Sequence, residues 1–284
     1  MPLVPLTEVL YQASRGGYAV GAFNCHNMEV VQSIVRAAEA EQAPVIIQAS
    51  QGAIRYAGLE YITSLVKQAV REVTVPVVLH LDHGTSLEQV VQCIRYGFTS
   101  VMIDGSKLPL QENIELTAEA VRIARAVGVS VEAEIGKIGG TEDDISVQES
   151  EAFLTDPEEA RRFAEETKVD ALAIAIGTAH GQYKGEPKLD FDRLEKINRL
   201  VACPLVLHGS SGVPDESLNR AIQLGIRKIN IDTNIREAFV GAVREVLELN
   251  PEEIDPRNIL GPAREAAEKI IREKIKVFGS SKKA

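Results

Sequence analysis

The chain reads as an α/β protein: a (β/α)8 TIM barrel with an extra C-terminal helix, forming a single domain over residues 1–284. Three observations predict this. Eight short apolar, β-branched runs recur along the sequence, amphipathic helical patterns separate them, and 284 residues suit a fold that typically takes about 250. Apolar strands alternating with helices imply a parallel sheet covered by those helices, and eight such units imply closure into a barrel.

The first two strands are YAVGAF (18–23) and PVIIQAS (44–50). Between them, EVVQSIVRAAEAEQ places Val31, Ile34, Val35 and Ala38 on one face at the helix period. VPVVLHLD (75–82) is the third strand. In the SLEQVVQCIRYG that follows, Ser86 and Gln89 have capping-box spacing and Gly97 marks the stop. TSVMIDG (99–105) and VSVEAEIG (129–136) are the fourth and fifth strands. Next comes GKIGGTEDDISVQES (136–150), glycine-rich and then acidic, which reads as a long mobile loop. ALAIAIG (171–177), PLVLHG (204–209) and RKINIDT (227–233) complete the eight. The last stretch, from PEEIDP to KVFGS, adds a helix that either covers the barrel or meets another subunit.

Composition narrows the function. The formal charge is −10 and no basic block appears, which argues against a nucleic-acid partner. Cys25, Cys93 and Cys203 are odd in number and have no CxxC spacing, so reduced thiols and a cytoplasmic location are expected. With no basic, apolar leader and no run of roughly 18 apolar residues, a membrane association is not expected.

Barrel enzymes carry their chemistry at the strand C-terminal ends. Those ends supply Asn24, Ser50, Asp82 with His83, Asp104, Glu134, His180 just past strand six, His208, and Asn230 with Asp232. Three of the five histidines fall there, on three different strands. One strand-end histidine is more often a hydrogen-bonded structural residue. Three beside carboxylates point instead to a cation such as Zn²⁺, held with an open position. His80, two residues before Asp82, suits a packed or supporting place, and His26 a loop. After strand seven, HGSSGVP gives glycines, hydroxyls and a helix start near Pro214, and NIDTN does the same after strand eight. Such loops bind phosphate in barrels, although GSSG alone is also an ordinary turn. A metal beside a phosphate pocket suits a phosphorylated hydroxyketone, with the cation acting as Lewis acid and stabilising an enediolate. No lysine is expected in the centre, since Lys107 lies beyond strand four and Lys228 begins strand eight; a Schiff-base route is therefore set aside. A metal hydrolase on the same fold and a non-catalytic sugar-phosphate binder are the competing readings.

HLDHG, SVMIDGS, VSVEAEIGKIGGTEDD, AIGTAHGQYKGEP, LVLHGSSG, KINIDT and DPRNILGPAREA together resemble the class II, metal-dependent fructose-bisphosphate and tagatose-bisphosphate aldolases, from residue 1 to about 280. The resemblance implies reversible cleavage of a ketohexose bisphosphate to dihydroxyacetone phosphate and glyceraldehyde 3-phosphate. It implies that His83, His180 and His208 are zinc ligands, with Asp104 and Glu134 at a second or alternative divalent position. Asp82 corresponds to the acid that protonates the aldehyde oxygen on cleavage and polarises it in condensation. Glu142 corresponds to the carboxylate that moves the ketone-side proton, the plain alternative being a solvated acidic lid. Gly181, Gly209, Ser210, Ser211, Asn230, Ile231, Asp232 and Thr233 correspond to dihydroxyacetone-phosphate contacts. Asn24 and Ser50 correspond to positions near the substrate hydroxyls and second phosphate. Arg236 corresponds to a distal-phosphate arginine, or is simply an exposed helix charge. A monovalent cation, Na⁺ or K⁺, near the phosphate loops and a homodimer or homotetramer also follow from the resemblance. Asp232 favours the fructose substrate, whereas EDDISVQESEAFLTDPEEA and LDFDRL read like the tagatose group.

Overall fold

The computed structural model describes residues 3–142, 145–147, 153–183, 185 and 187–284. All eight expected strands are present: β1 (Val20–Asn24), β2 (Val45–Ser50), β3 (Val77–Gly84), β4 (Ser100–Ile103), β5 (Ser130–Ile135), β6 (Ala171–Ile174), β7 (Leu205–Leu207) and β8 (Ile226–Ile231). Every adjacent pair is parallel, and β8 closes on β1 with Val20 opposite Lys228.

The alternation of side chains along each strand divides the core in two. Outward-facing residues such as Leu79, Leu81, Ile229 and Ile231 pack under the helices. Inward-facing residues fill the barrel. Its lower end is apolar, with Val20, Ala22, Ile46, Val78, Ala171, Ala173 and Val206 meeting the helix Leu6–Gly16. That helix presents Leu6, Val9, Leu10 and Ala13 at helix spacing and plugs the N-terminal mouth. Higher up, the interior turns polar.

The C-terminal helix Pro256–Val277 covers the barrel. Ala263, Ala267, Ile271 and Ile275 form one buried stripe against the helices Met28–Glu41 and Thr233–Leu249. The alanines permit a close approach, and Ser33 Oγ donates to the Arg264 carbonyl at 2.8 Å across the seam.

Two local expectations are corrected. Ser86 does cap the helix Leu87–Tyr96, its hydroxyl accepting from Gln89 N at 3.3 Å. Gln89 Oε1, however, accepts from Thr85 N at 2.9 Å and not from the cap residue, so the box is displaced by one position. The stretch after β5 is not irregular where it is described. Gly139–Glu142 pairs antiparallel with Ile145–Val147 and parallel with Ala179–His180. Gly140 has φ of +99°, and a Cβ there would meet the His180 backbone. Glycine is what lets this strand lie against His180.

Candidate active site

Consecutive strand residues point to opposite faces, so Asp82 and His83 share a cavity only if the strand leaves its pleat. It does. The β3–β4 register shifts between Leu81 and Gly84, and His83 adopts φ of +49°. A bulge of this kind re-aims a side chain. Left-handed backbone at a residue carrying a Cβ costs about 1–3 kcal/mol and is found where function requires it.

His83, His180 and His208 converge above the polar part of the barrel, with one donor atom from each within 4.8 Å of the others. His83 Nδ1 lies 2.8 Å from Asp104 Oδ2, and His208 Nε2 lies 2.8 Å from Glu132 Oε1. An ionised carboxylate only accepts, so each of these ring nitrogens carries the proton. The other two nitrogens, His83 Nε2 and His208 Nδ1, then face each other at 3.0 Å. Two imidazole lone pairs at that distance need a proton or a cation between them. Ligand nitrogens on tetrahedral zinc sit roughly 3.3 Å apart, given bonds of about 2.0–2.1 Å. The donor set therefore fits a zinc ion. A second set, His83, Asp104 and Glu134, also places its donor atoms within 4.8 Å.

Charge supports this. Burial opposes a charged His83, yet Asp82, Asp104 and Glu134 hold it well above the ordinary histidine value. Burial pushes Glu134 well above the usual carboxylate range, and neighbouring Asp104 adds to the rise. Burial depresses His208 to about 4, despite its hydrogen bond to Glu132. Without a cation, the carboxylates of this site repel one another in a water-poor cavity.

Asp82 sits beside the trio with a fixed carboxylate. Asn24 Nδ2 donates to its Oδ2 at 2.9 Å, Gln48 Nε2 to the same oxygen at 3.1 Å, and Asn230 Nδ2 to Oδ1 at 3.4 Å. Gln48 also donates to Asn24 Oδ1 at 2.6 Å. Asn24 and Asn230, predicted as substrate contacts, here bond Asp82, and so does Gln48, which the sequence reading did not single out.

A cavity of about 470 Å³ opens between the loops after β6, β7 and β8, lined among others by Gly181, Tyr183, Ser211, Gly212, Thr233 and Asn234. Gly181, Gly209 and Gly212 all have positive φ. The Tyr183 hydroxyl accepts from Ala179 N at 2.8 Å and donates to Gly209 O at 2.7 Å, tying two of the loops together. Ser211 Oγ accepts from Asp232 N at 3.2 Å and Asn234 N at 3.4 Å, tying loop seven to loop eight. Ser210 turns its hydroxyl back onto the Leu207 carbonyl at 3.2 Å, so only its backbone faces outward contacts.

The remaining predicted residues take the following places in the fold. The Ile231 side chain belongs to the outer core. Ser50 caps the helix Gln51–Ala57, its hydroxyl accepting from Ala53 N at 3.1 Å. Arg236 is bonded to Asp232, Nε to Oδ1 at 2.9 Å and Nη2 to Oδ2 at 2.7 Å. His26, expected in a loop, does lie in one and places Nε2 3.4 Å from Asp232 Oδ1. Glu142 ends the strand Gly139–Glu142, and its side chain lies outside the described residues. Lys228 corrects the expectation that no lysine reaches the centre: its Nζ lies inside the barrel, 2.8 Å from Glu132 Oε2. It is engaged there, beneath the histidines. The parity signal was present, since Glu132, His80, Gln48 and Lys228 each stand two residues before a predicted site residue.

Residues 4–283 match the family model described as fructose-bisphosphate aldolase class-II. The chain belongs to the class II fructose-bisphosphate aldolase family. It is 49% identical to a fructose-bisphosphate aldolase of Geobacillus stearothermophilus over 100% of this chain and 99% of that one. It is 48% identical to a sulfofructosephosphate aldolase of Alkalicoccus urumqiensis, over 97% and 96%. Its fold matches the crystal structure of the YdjI aldolase from Escherichia coli K12 with a TM-score of 0.88 and 36% identity, covering 99% and 98% of the two chains. Family membership makes the protein a lyase.

Loop seven of this aldolase depends on Gly209. It has φ of +60°, and a Cβ there would lie 2.5 Å from the Ala179 carbonyl. Gly209→Ala is expected to lower the unfolding free energy by about 1–3 kcal/mol in a urea titration. Gly241→Ala, in a helix with nothing within 4 Å, should be neutral or stabilising. Equal effects of the two would show that loop seven tolerates the displacement.

Proposed function

We propose that the protein is a class II fructose-1,6-bisphosphate aldolase, cleaving its substrate reversibly to dihydroxyacetone phosphate and glyceraldehyde 3-phosphate. One observation carries the reading. The histidine trio and the glycine cradle are built from adjacent residues: His180 precedes Gly181, and His208 precedes Gly209. Whatever the trio holds is thereby set beside the cradle. A hydrolase reading leaves the cradle unexplained, and a binding protein has no need of the strained His83 and the tethered Asp82.

His83 Nε2, His208 Nδ1 and His180 would hold the zinc, with Asp104 and Glu134 at a second or alternative divalent position. Zinc supplies Lewis-acid polarisation of the ketone carbonyl when bound. The chain's own residues do the rest. Backbone N–H groups of Gly181, Gly209, Ser210 and Ser211, with Asn230 to Thr233, orient the ketone-side phosphate, aided by a monovalent cation. Asn24 and Ser50 face the substrate hydroxyls and far phosphate, and the Arg236–Asp232 pair bounds that end.

Proton balance reverses the direction expected for Asp82. Breaking C3–C4 turns the C4 hydroxyl into an aldehyde, so that hydroxyl must lose its proton. Asp82 therefore accepts it on cleavage and returns it to the aldehyde oxygen in condensation. The amides of Asn24, Gln48 and Asn230 hold the carboxylate for this transfer. The C3–C4 electron pair passes to the ketone half, where Glu142 delivers the proton at C3. Three free thiols support a cytoplasmic location, and the homodimer or homotetramer follows from the family resemblance alone. No described helix is long and apolar enough to cross a membrane.

Prolonged dialysis against EDTA is expected to abolish cleavage of fructose 1,6-bisphosphate, and added zinc to restore it; full activity in the metal-free protein would refute the metal role. Asp82→Ala should lower kcat by about 10²–10⁴-fold with zinc content unchanged. Unaltered turnover would remove Asp82 from proton transfer. For the sugar, kcat/KM is expected to favour fructose over tagatose 1,6-bisphosphate in the native enzyme and less so in Asp232→Ala. A preference for tagatose bisphosphate, or for the sulfofructose phosphate that names the Alkalicoccus relative, would reassign the substrate.

A further inference from the structure

Below the histidines, the barrel holds an ion pair that the reaction does not use. Glu132 and Lys228 are both completely buried, and Lys228 Nζ lies 2.8 Å from Glu132 Oε2. Glu132 Oε1 takes the proton of His208 Nε2 at 2.8 Å. His80 flanks the pair, its Nε2 3.6 Å from Glu132 Oε2 and its Nδ1 2.8 Å from Ser100 Oγ. TIM-barrel interiors are ordinarily filled by branched apolar side chains. Replacing a buried ion pair with apolar residues of similar volume is often neutral or stabilising, so stability alone is a poor reason for this one.

We infer that Glu132 and Lys228 are positioning residues: Glu132 fixes the ring and tautomer of His208 so that Nδ1 faces the metal, and Lys228 fixes Glu132. The inference rests on the zinc reading above. His208 has two ring nitrogens, and only the bond to Glu132 decides which is free to ligate. Glu132 in turn has two oxygens. Lys228 engages Oε2, leaving Oε1 in line with His208. Lys228 also reaches the pair from the strand next to the one that bears His208, with Val206 opposite Lys228 in the β7–β8 ladder. Without that cation, Glu132 would stand unpaired within the barrel that also buries Glu134 and Asp82.

Two double variants separate positioning from filling. Glu132→Gln with Lys228→Met removes both charges and keeps an oxygen acceptor for His208. Glu132→Leu with Lys228→Met removes both charges and the acceptor. Zinc Kd by chelator competition is expected within fivefold of wild type in the first and weakened by about 10–100-fold in the second. Equal zinc affinity in the two folded variants would overturn the inference. Should either fail to fold, a zinc-loaded crystal structure of the wild type decides it. Zinc on His208 Nδ1 with Glu132 still on Nε2 supports the assignment, and zinc on Nε2 refutes it. A wild type that binds no zinc at all would overturn the zinc reading and this inference with it, whereas zinc-binding wild type with equal variants sinks only the inference.

Discussion

The site depends on an imbalance of charge buried in one end of a barrel. Asp82, Asp104, Glu132 and Glu134 all lie within the barrel's upper half, and Lys228 is the one fully buried lysine among the described residues. Four carboxylates against one ammonium is an unstable arrangement in a medium that screens poorly. The protein meets it in three ways. Amide donors surround Asp82, ring N–H groups bond Asp104 and Glu132, and burial pushes Glu134 toward its neutral form. What remains is a cluster whose three histidines could hold a metal ion among these carboxylates.

Strand periodicity lays out this cluster and also limits it. Inward positions recur every second residue, so one strand supplies residues at successive depths: His80 and Asp82 on β3, Glu132 and Glu134 on β5, Lys228 and Asn230 on β8. The upper member of each pair lies at or near the strand's C-terminal end, and the lower one lies two residues deeper in the barrel. His83 is the exception, because it is out of phase with Asp82. The bulge between Leu81 and Gly84 is the local strain that turns Asp82 and His83 toward one site from consecutive positions.

Sequence made the fold legible because its strands are continuous apolar runs punctuated by glycine and proline. The eight strands lie within a residue or two of their expected ends, although β6 and β7 stop short of their glycines. The strand-top histidines were legible because there are few of them and they fall at equivalent places. The supporting layer was less so. Glu132 and Lys228 read as the ordinary polar residues of half-buried strands until closure turns that face inward. Tyr183 and His26 come from loops, and contacts such as Tyr183 to Gly209 or His26 to Asp232 join chain segments far apart in sequence. The helix Leu6–Gly16 has an apolar spacing that marks a helix, but only the closed barrel shows that it is a plug.

Around Asp232 these contacts join residues that the sequence presents separately. Asp232 read from sequence is a single residue type at a single position, and Arg236 a charge one turn later. In the fold they are one unit. Arg236 bonds both oxygens of the carboxylate, His26 lies near one of them, and Ser211 fixes the backbone that carries it. The sequence shows residue 232 as a lone side chain, whereas the fold makes it part of a unit assembled from the loop after β1, the loop after β7 and the helix that follows β8.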